Sequence, residues 1–287
     1  DLEKNKCSRD DIIIAIGGGT ILDAISYLSS TYMRGISLFM IPTTLIGQAD
    51  ASTAGKTCLN ASSAKNILGT LYLPKYVYNN VKLLKTNSEY HLRQGFSEIF
   101  KYALLGSEEL LQLLFKYKND KSENTLLEIL AETIRVRLKI RKRHVLASNF
   151  GHTFGHAFEK YSNFAVGHGD AISVGMLIAL DFSLREKLIN KSLFDNIYSM
   201  MKELGLNTKI NSGIDNIKLT KIMLMDKKSS NKLIRLVLIE DIVKPLYTND
   251  NPFYGVKPKN MKNFLLNILN DKKYAEDDHW KKLAKGR

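Results

Sequence analysis

The chain has 287 residues, a net charge of +13, 44% hydrophobic residues and two cysteines. This length can bury a substantial core in one or two domains, and two cysteines without metal-ligand spacing exclude a disulfide framework. The basic balance does not favour nucleic acid, because the lysines are scattered and no basic segment carries interleaved aromatic residues. Without an apolar run of about 18 residues or a signal-peptide pattern, we predict a soluble, cytoplasmic protein that binds neither membrane nor nucleic acid.

The first part of the chain alternates between predicted strands and helices. Short apolar runs predict strands over residues 11–16, 36–43 and 71–78, and the first two flank a helix that ends near residue 32. Alternation of this kind favours a parallel sheet with helices packed on it.

A glycine triplet, Gly17-Gly18-Gly19, follows the first predicted strand. Thr20 and Asp23 fit a capping box at the start of the next helix. A glycine turn of this kind presents backbone N–H groups at a helix N-terminus, where a pyrophosphate can bind. Tight packing of helix against strand explains the triplet equally well.

A polar segment follows the second strand, over residues 42–57. Gly55-Lys56-Thr57 suggests a P-loop, but Asp50 occupies the position where that motif requires glycine, so this interpretation fails. The hydroxyls, the amides, Lys56 and Lys65 remain suited to an anionic, polyhydroxylated ligand. A polar surface loop is the alternative.

The pattern turns helical after about residue 86, which places a domain boundary there and predicts domains over residues 1–85 and 86–287. The helices are predicted over residues 88–105, 108–116, 126–144, 153–161 and 171–187. On the first of them, Glu98 and Lys101 are three residues apart and share a face with apolar residues. An acid and a base on such a face indicate a site, although an exposed ion pair is an equally good explanation.

The strongest chemical signal is a histidine cluster. His152, His156 and His168 lie within 17 residues, in a chain with six histidines, and glycines surround them. Neutral imidazole is the commonest metal ligand, and the i,i+4 spacing of His152 and His156 puts both rings on one helical face. A metal site is therefore the first hypothesis, with histidines that cap or fill a packing surface as the alternative.

In their order along the chain, these motifs resemble those of the 3-dehydroquinate synthase family. The segments that carry the resemblance are Gly17-Gly18-Gly19 with Asp23, Arg34-Gly35, Pro42 to Leu45, Gln48 to Thr57, Ala64-Lys65-Asn66, Gly95 to Tyr102, Asn149 to Ala157, His168 to Ala171 and Asp226 to Lys228. The resemblance runs from about Asp11 to Ile239. No single motif is specific, but their succession is.

The resemblance implies an α/β plus α fold, with the N-terminal part of a Rossmann-like NAD-binding domain, expected to be truncated, before a mainly helical metal-binding domain. It implies a lyase of the shikimate pathway that converts 3-deoxy-D-arabino-heptulosonate 7-phosphate to 3-dehydroquinate and phosphate. The implied cofactors are NAD and a divalent metal, zinc or alternatively cobalt. The implied partners are the small sugar-phosphate substrate and a second copy of the chain in a homodimer.

The resemblance also assigns roles residue by residue. The implied metal ligands are Glu98, His152 and His168. The implied catalytic residues are Asp50, Lys56, Lys101, Asn149 and His156, which thereby leaves the ligand set. The implied substrate-binding residues are Lys65, Asn66, Lys227, Lys228 and Arg34, the last acting across a dimer interface. The implied NAD-binding residues are Gly17, Gly18, Gly19, Thr20, Asp23, Thr43 and Thr44.

The sequence departs from the family pattern at several positions. Ala54 replaces a glycine, and the segment before Asn149 is shortened, so that Arg137 or Lys139 and Arg143 are candidates for its substrate-binding lysine and arginine. A family member has about 90 further residues, a length in the ordinary domain range, before the glycine triplet. We therefore expect this chain alone to bind NAD weakly and to turn over slowly.

Three alternatives stay open at this point. A related sugar-phosphate cyclase would share the metal ligands and differ in its contacts to the substrate carboxylate. A truncated, non-catalytic homologue would retain the fold without NAD binding. An iron-dependent alcohol dehydrogenase resembles the glycine triplet and the histidine helices more distantly, and leaves Gly55-Lys56-Thr57 unexplained.

Overall fold

The computed structural model describes residues 1–61, 64–225 and 232–284. Its contacts divide the chain into two compact units, Asp1–Gly95 and Phe96–Arg287, here called the N-terminal and C-terminal units. The division falls inside a helix that runs from Glu89 to Gly106. The domain boundary predicted after residue 85 stays a prediction.

The N-terminal unit is built on a small parallel sheet. Its elements are β1 Ile12–Gly17, α1 Gly19–Thr31, β2 Ser37–Pro42, α2 Leu45–Ala49, β3 Leu59–Ala61, β4 Ala64–Leu68 and β5 Tyr76–Val77, with 3-10 turns at Tyr32–Arg34, Ala51–Thr53 and Val81–Thr86. The strand order is β1-β2-β5, and both pairings are parallel, which confirms the prediction from the alternating pattern. Leu22 of α1 packs with Ala15, Leu38 and Met40 on one face of this sheet.

One local prediction in this unit is wrong, and another is confirmed only in part. α1 begins at Gly19 with Gly18 as its N-cap, and no side chain caps it, so Thr20 and Asp23 do not form a capping box. The third strand covers only Tyr76–Val77 and not residues 71–78 as predicted. The segment before it makes hydrogen bonds outside the sheet. The amide of Tyr72 donates to the carbonyl of Gly55, and its hydroxyl donates to the carbonyl of Ile36.

The C-terminal unit is mainly helical. Its helices are α3 Glu89–Gly106, which begins in the N-terminal unit, α4 Glu108–Asp120, α5 Glu123–His144, α6 His152–Tyr161, α7 His168–Arg185, α8 Lys191–Glu203, α9 Asn216–Leu224, α10 Pro258–Leu269 and α11 His279–Ala284. Short strands lie between them: β6 Ile210–Asn211, β7 Ile234–Leu236, β8 Ile239–Asp241, β9 Lys244–Pro245, β10 Tyr254–Val256 and β11 Ala275–Glu276, with a 3-10 turn at Val145–Asn149.

The five predicted helices of this part are confirmed, with shifts at their ends. α7 begins three residues earlier than predicted, so His168 opens the helix. Every residue from Gly169 to Ser183 is buried, which is typical of a helix at the centre of a core. Among the described residues, no helix is both long and apolar enough to cross a membrane.

Candidate functional site

Three side chains from three helices converge in the C-terminal unit. Glu98 lies on α3 and is fully buried, while His152 and His168 are the first residues of α6 and α7. The Oε1 atom of Glu98 is 3.6 Å from Nε2 of His152 and 3.2 Å from Nε2 of His168. One ligand atom from each residue lies within 4.8 Å of the others, a spacing that could hold a metal ion.

The two carboxylate oxygens of Glu98 have different contacts. Oε2 pairs with the Lys101 ammonium at 2.5 Å, and both side chains are buried. Among the described residues, none makes a hydrogen bond to the buried Oε1. Burial alone would raise the pKa of Glu98, but the charge of Lys101 and the neighbouring His168 ring outweigh it and lower that pKa to about 2. The group is therefore an anion at neutral pH, with one oxygen aimed at two imidazoles.

His168 contacts a second buried carboxylate. Its Nδ1 lies 3.2 Å from Oε2 of Glu159, which is 3% exposed. Burial alone would lower the pKa of His168, but the charge and hydrogen bond of Glu159, with a smaller contribution from Glu98, raise it to about 9. The sequence prediction missed Glu159. Its spacing of seven and three residues from His152 and His156 puts it on their face of α6, and that signal could have identified it.

Glycines explain how α6 and α7 come close enough to bring these rings together. A Cβ on Gly175 would lie 2.3 Å from the carbonyl oxygen of Gly151 and 2.8 Å from the amide nitrogen of Gly155. Gly151, the N-cap of α6, has a φ of 76°, in the left-handed region that favours glycine. The glycines that surround the histidines in the sequence therefore set the distance between the two helices.

The predicted catalytic residues of this unit lie near the cluster or adjacent to it in the chain. The ring centroid of His156 is 5.2 Å from that of His152 and 6.1 Å from that of His168. Lys101 is buried against Glu98. Asn149 is half-buried in the 3-10 turn before α6, and its amide donates to the carbonyl of Leu146 at 2.8 Å.

The structure separates the three cationic candidates of the shortened segment. The guanidinium of Arg137 faces the Tyr102 ring at 6.0 Å, and Lys101 lies 4.3 Å from the centroid of the same ring. Lys139 is exposed, while Arg143 stacks on Tyr247 at 4.1 Å. Of these three, Arg137 is the one that shares an aromatic neighbour with the Glu98–Lys101 pair.

In the N-terminal unit, the predicted nucleotide-binding residues gather at the carboxyl ends of β1 and β2. The amide of Thr43 donates to the carbonyl of Gly17, and a Cβ on Gly18 would lie 3.1 Å from Cγ2 of Thr44. The remaining residues of this set, Gly19, Thr20 and Asp23, lie in the first two turns of α1. This edge of a parallel sheet is where such folds bind ligands.

The other predicted residues of this unit are more scattered. Asp50 is half-buried at the C-terminal end of α2, and Lys56 is exposed and bridges to Leu71. Arg34 is exposed beyond the C-terminal end of α1, a helix length away from the glycine turn. The side chains of Lys65 and Asn66, and the whole of Lys227 and Lys228, lie outside the described residues.

Comparison with known families identifies the chain. Residues 1–94 match the profile of the 3-dehydroquinate synthase N-terminal domain, and residues 95–229 match that of the C-terminal domain. The 3-dehydroquinate synthase of Legionella pneumophila strain Lens is 38% identical over 249 residues, which cover 83% of this chain and 68% of the relative. The chain therefore belongs to the 3-dehydroquinate synthase family, as the sequence motifs predicted.

Solved structures with a similar fold include two synthases solved with NAD+ and a divalent metal ion. The 2-epi-5-epi-valiolone synthase of Streptomyces hygroscopicus, solved with NAD+ and Zn2+, superposes with a TM-score of 0.81 at 24% identity, over 93% of this chain and 76% of that one. A 2-deoxy-scyllo-inosose synthase complexed with carbaglucose-6-phosphate, NAD+ and Co2+ gives 0.79 at 22% identity, over 91% and 75%. Both share a Rossmann-like domain followed by a helical domain with this chain.

Proposed function

We propose that this chain is a 3-dehydroquinate synthase, which converts 3-deoxy-D-arabino-heptulosonate 7-phosphate to 3-dehydroquinate and phosphate in the shikimate pathway. Family membership supports the reaction class, a lyase-type cyclisation of a sugar phosphate. The observation that carries the proposal is the convergence of Glu98, His152 and His168 from three helices, with one buried carboxylate oxygen aimed at both rings.

The chemistry of this cluster fits a divalent cation, with zinc first and cobalt second. Two imidazole nitrogens and one carboxylate oxygen are a recurrent zinc donor set that leaves a position open for substrate. Oε1 of Glu98 is buried and has no hydrogen-bond partner among the described residues, and a bound cation would supply one. A bound cation would polarise the hydroxyl and carbonyl oxygens of the substrate. Lys101 keeps Glu98 ionised, which is the form that binds metals.

The glycine turn of the N-terminal unit fits the phosphates of NAD. α1 begins without a side-chain cap, so its first amides and the positive end of its dipole can meet an anion. Apart from its chain neighbours and the backbone of its own helix, no heavy atom of the described residues lies within 4 Å of the position of a Cβ on Gly19, which leaves room for a ligand to approach the backbone. NAD would accept a hydride from the substrate and return it later, with no net oxidation. The residues proposed to hold NAD are Gly17, Gly18, Gly19, Thr20, Asp23, Thr43 and Thr44.

Lysine, histidine and asparagine side chains would handle the substrate. Lys101, beside Glu98, supplies a fixed positive charge for an anionic substrate group. His156 has an imidazole near both histidines of the cluster, a position suited to moving a proton to or from a substrate oxygen. Further substrate contacts are assigned by family pattern to Asp50, Lys56, Lys65, Asn66, Asn149, Lys227 and Lys228, and to Arg34 acting on a second copy of the chain in a homodimer.

The direct test is the reaction of the purified protein, supplied with NAD and zinc, on the heptulosonate phosphate. We expect 3-dehydroquinate and phosphate to form in equal amounts. Mass spectrometry measures the first product, and a phosphate assay measures the second. Lys101→Ala should lower kcat/KM by about 100-fold or more, because a preorganised charge in the site is lost. Lys116→Ala, which removes an exposed ion pair with Glu128, is the control and should leave turnover unchanged.

Two results would contradict parts of this assignment: the first concerns the reaction, and the second concerns the role of Lys101. Phosphate release from a different sugar phosphate, with none from the heptulosonate, would identify a related cyclase instead. Unchanged substrate affinity and turnover in Lys101→Ala would remove that residue from the site.

A further inference from the structure

We infer that Glu159 is a positioning residue of the metal site: it accepts the Nδ1 proton of His168 and so holds the ring with Nε2 facing Glu98 and His152. Nε2 is then the nitrogen that gives up its proton when a metal binds. This inference rests on the proposed metal site in the C-terminal unit. It adds to the three ligands a residue that neither the motifs nor the family comparison singled out.

The geometry places one imidazole between two buried carboxylates. Nδ1 of His168 lies 3.2 Å from Oε2 of Glu159, and Nε2 lies 3.2 Å from Oε1 of Glu98. Glu159 is 3% exposed and Glu98 is fully buried, so bulk water does not compete strongly at either carboxylate. His168 is thus held from both sides, and its two nitrogens face different groups.

The two carboxylates differ in what else they contact. Glu98 points its Oε1 at two imidazoles from different helices, which is the arrangement of a ligand set. Glu159 shares α6 with His152 and lies seven residues after it, two turns further along the same face. A carboxylate behind a ligating ring is the usual partner for the N–H of a metal-bound histidine, and it fixes both the tautomer and the ring orientation.

A second group of potential ligands overlaps the first: His156, Glu159 and His168 also offer ligand atoms within 4.8 Å of one another. Both sets include His168. Occupation of this second set would make Glu159 a direct ligand and would leave Oε1 of Glu98 without a partner among the described residues. The set that contains Glu98 removes this unsatisfied atom, and it leaves Glu159 to hold the ring.

The test compares zinc affinity, measured by competition with a chelator, in the wild type, Glu159→Ala and Glu159→Gln. Loss of a carboxylate behind a ligating histidine typically weakens metal binding about 10–100-fold. We expect Glu159→Ala to bind zinc within that range more weakly, still at one ion per chain. Glu159→Gln should be affected less, because its amide oxygen still accepts the N–H of His168.

The matched control is Glu132→Gln, which changes another buried carboxylate. Glu132 lies on α5, is 7% exposed, and is held by Ser107 and Arg135. Its substitution should leave zinc affinity unchanged, which separates a local effect from a general loss of stability.

Nitrogen-15 NMR of the zinc-bound proteins reports which nitrogen of His168 carries the proton. A residue that only stabilises the fold would not change this signal. The wild type and Glu159→Gln should both show His168 with its proton on Nδ1 and its Nε2 on the metal. If Glu159→Ala does not fold, the Gln variant carries the test: a His168 Nδ1 proton resonance identical in position and exchange rate to the wild type would overturn the inference, because a changed acceptor must alter it.

Three further outcomes distinguish a failure of the inference about Glu159 from a failure of the proposed metal site. Unchanged zinc affinity in a folded Glu159→Ala variant, with a wild type that binds zinc, would overturn the inference and leave the metal site intact. Loss of all zinc in Glu159→Gln, with retention in Glu98→Ala, would make Glu159 a ligand and overturn it as well. A wild type that binds no zinc would overturn both.

Discussion

Two buried carboxylates in the C-terminal unit have opposite surroundings. Asp181 on α7 receives a hydrogen bond at each oxygen, from Nε of Arg185 at 2.5 Å and from the hydroxyl of Tyr274 at 2.7 Å. Glu98 on α3 receives Lys101 at one oxygen, and among the described residues no hydrogen bond reaches the other. Both oxygens of Asp181 therefore accept a hydrogen bond from the described residues, whereas only one oxygen of Glu98 does.

This difference is the one expected between a structural carboxylate and a carboxylate that binds a ligand. A buried acceptor without a partner costs about 1–3 kcal/mol, so a fold tolerates it where something else uses the atom. In Glu98 that atom is aimed at His152 and His168. We therefore predict that removing a residue of the Glu98, His152 and His168 cluster abolishes metal binding. Removing a hydrogen-bond partner of Asp181 should lower the stability of the fold and leave metal binding unchanged.

The largest expected effect follows from removing one ring of the cluster. His168→Ala should lose stoichiometric zinc altogether, a greater loss than the roughly 10–100-fold expected for a supporting residue. His156→Ala should retain one ion per chain and lose turnover, because that ring lies outside the predicted ligand set. Metal analysis after dialysis checks both. Retention of zinc in His168→Ala together with its loss in His156→Ala would show that the ligands are assigned wrongly.

The next effect concerns the approach of α6 to α7. Gly175→Ala would put a methyl group 2.3 Å from the carbonyl oxygen of Gly151, so the helices must separate. We expect a loss of about 3 kcal/mol in the free energy of unfolding, at the upper end for overpacking, together with weaker zinc binding. Urea denaturation with and without zinc measures both.

Ser173→Ala is the control for this substitution, because it lies on the same helix and removes a buried hydroxyl that has no hydrogen-bond partner among the described residues. It should be neutral or slightly stabilising. If Gly175→Ala were as stable as Ser173→Ala, the close approach of the helices would not be what holds the histidines together.

The smallest expected effect concerns Asp181, the structural carboxylate of the comparison. Tyr274→Phe removes the hydroxyl that donates to Asp181 and should cost about 2 kcal/mol of stability, as for a hydrogen bond to a charged group, with no change in zinc binding. Tyr76→Phe removes an exposed hydroxyl and is the control at neutral pH. Zinc loss in Tyr274→Phe would mean that the two regions are not independent.

The same variant carries a pH dependence of defined sign. Burial, and then the hydrogen bond and charge of Asp181, raise the pKa of Tyr274 above its usual value of 10. The unfolded chain therefore loses this proton at about pH 10 while the folded chain keeps it. The stability advantage of the wild type over Tyr274→Phe should be complete below pH 10 and should shrink as the pH rises further. An advantage that grows above pH 10 would contradict this assignment.

Much of the site could be predicted from the sequence, because its residues lie in local motifs. The resemblance to the 3-dehydroquinate synthase family grouped Glu98 with His152 and His168, although they come from three helices. Spacing alone paired His152 with His156, and it could not show that His168 opens α7 beside them. That position depends on the tight packing at Gly175, which is a tertiary contact.

Other features depended on contacts that no local pattern records. Thr20 and Asp23 satisfied the capping pattern, yet the backbone of Gly18 begins the helix and leaves its first amides uncapped. Glu159 lies two residues beyond the matched segment Asn149 to Ala157, and its role became visible only because α7 places Nδ1 of His168 beside it. Among the cationic candidates before Asn149, it is the shared Tyr102 ring that favours Arg137.

The most direct measurement is a crystal structure of the zinc-loaded protein with anomalous diffraction at the zinc edge. We predict one strong peak about 2.0–2.2 Å from Oε1 of Glu98 and from Nε2 of both His152 and His168, with Nδ1 of His168 still hydrogen-bonded to Glu159. A peak bound by His156 and Glu159, with Glu98 outside the coordination sphere, would contradict it.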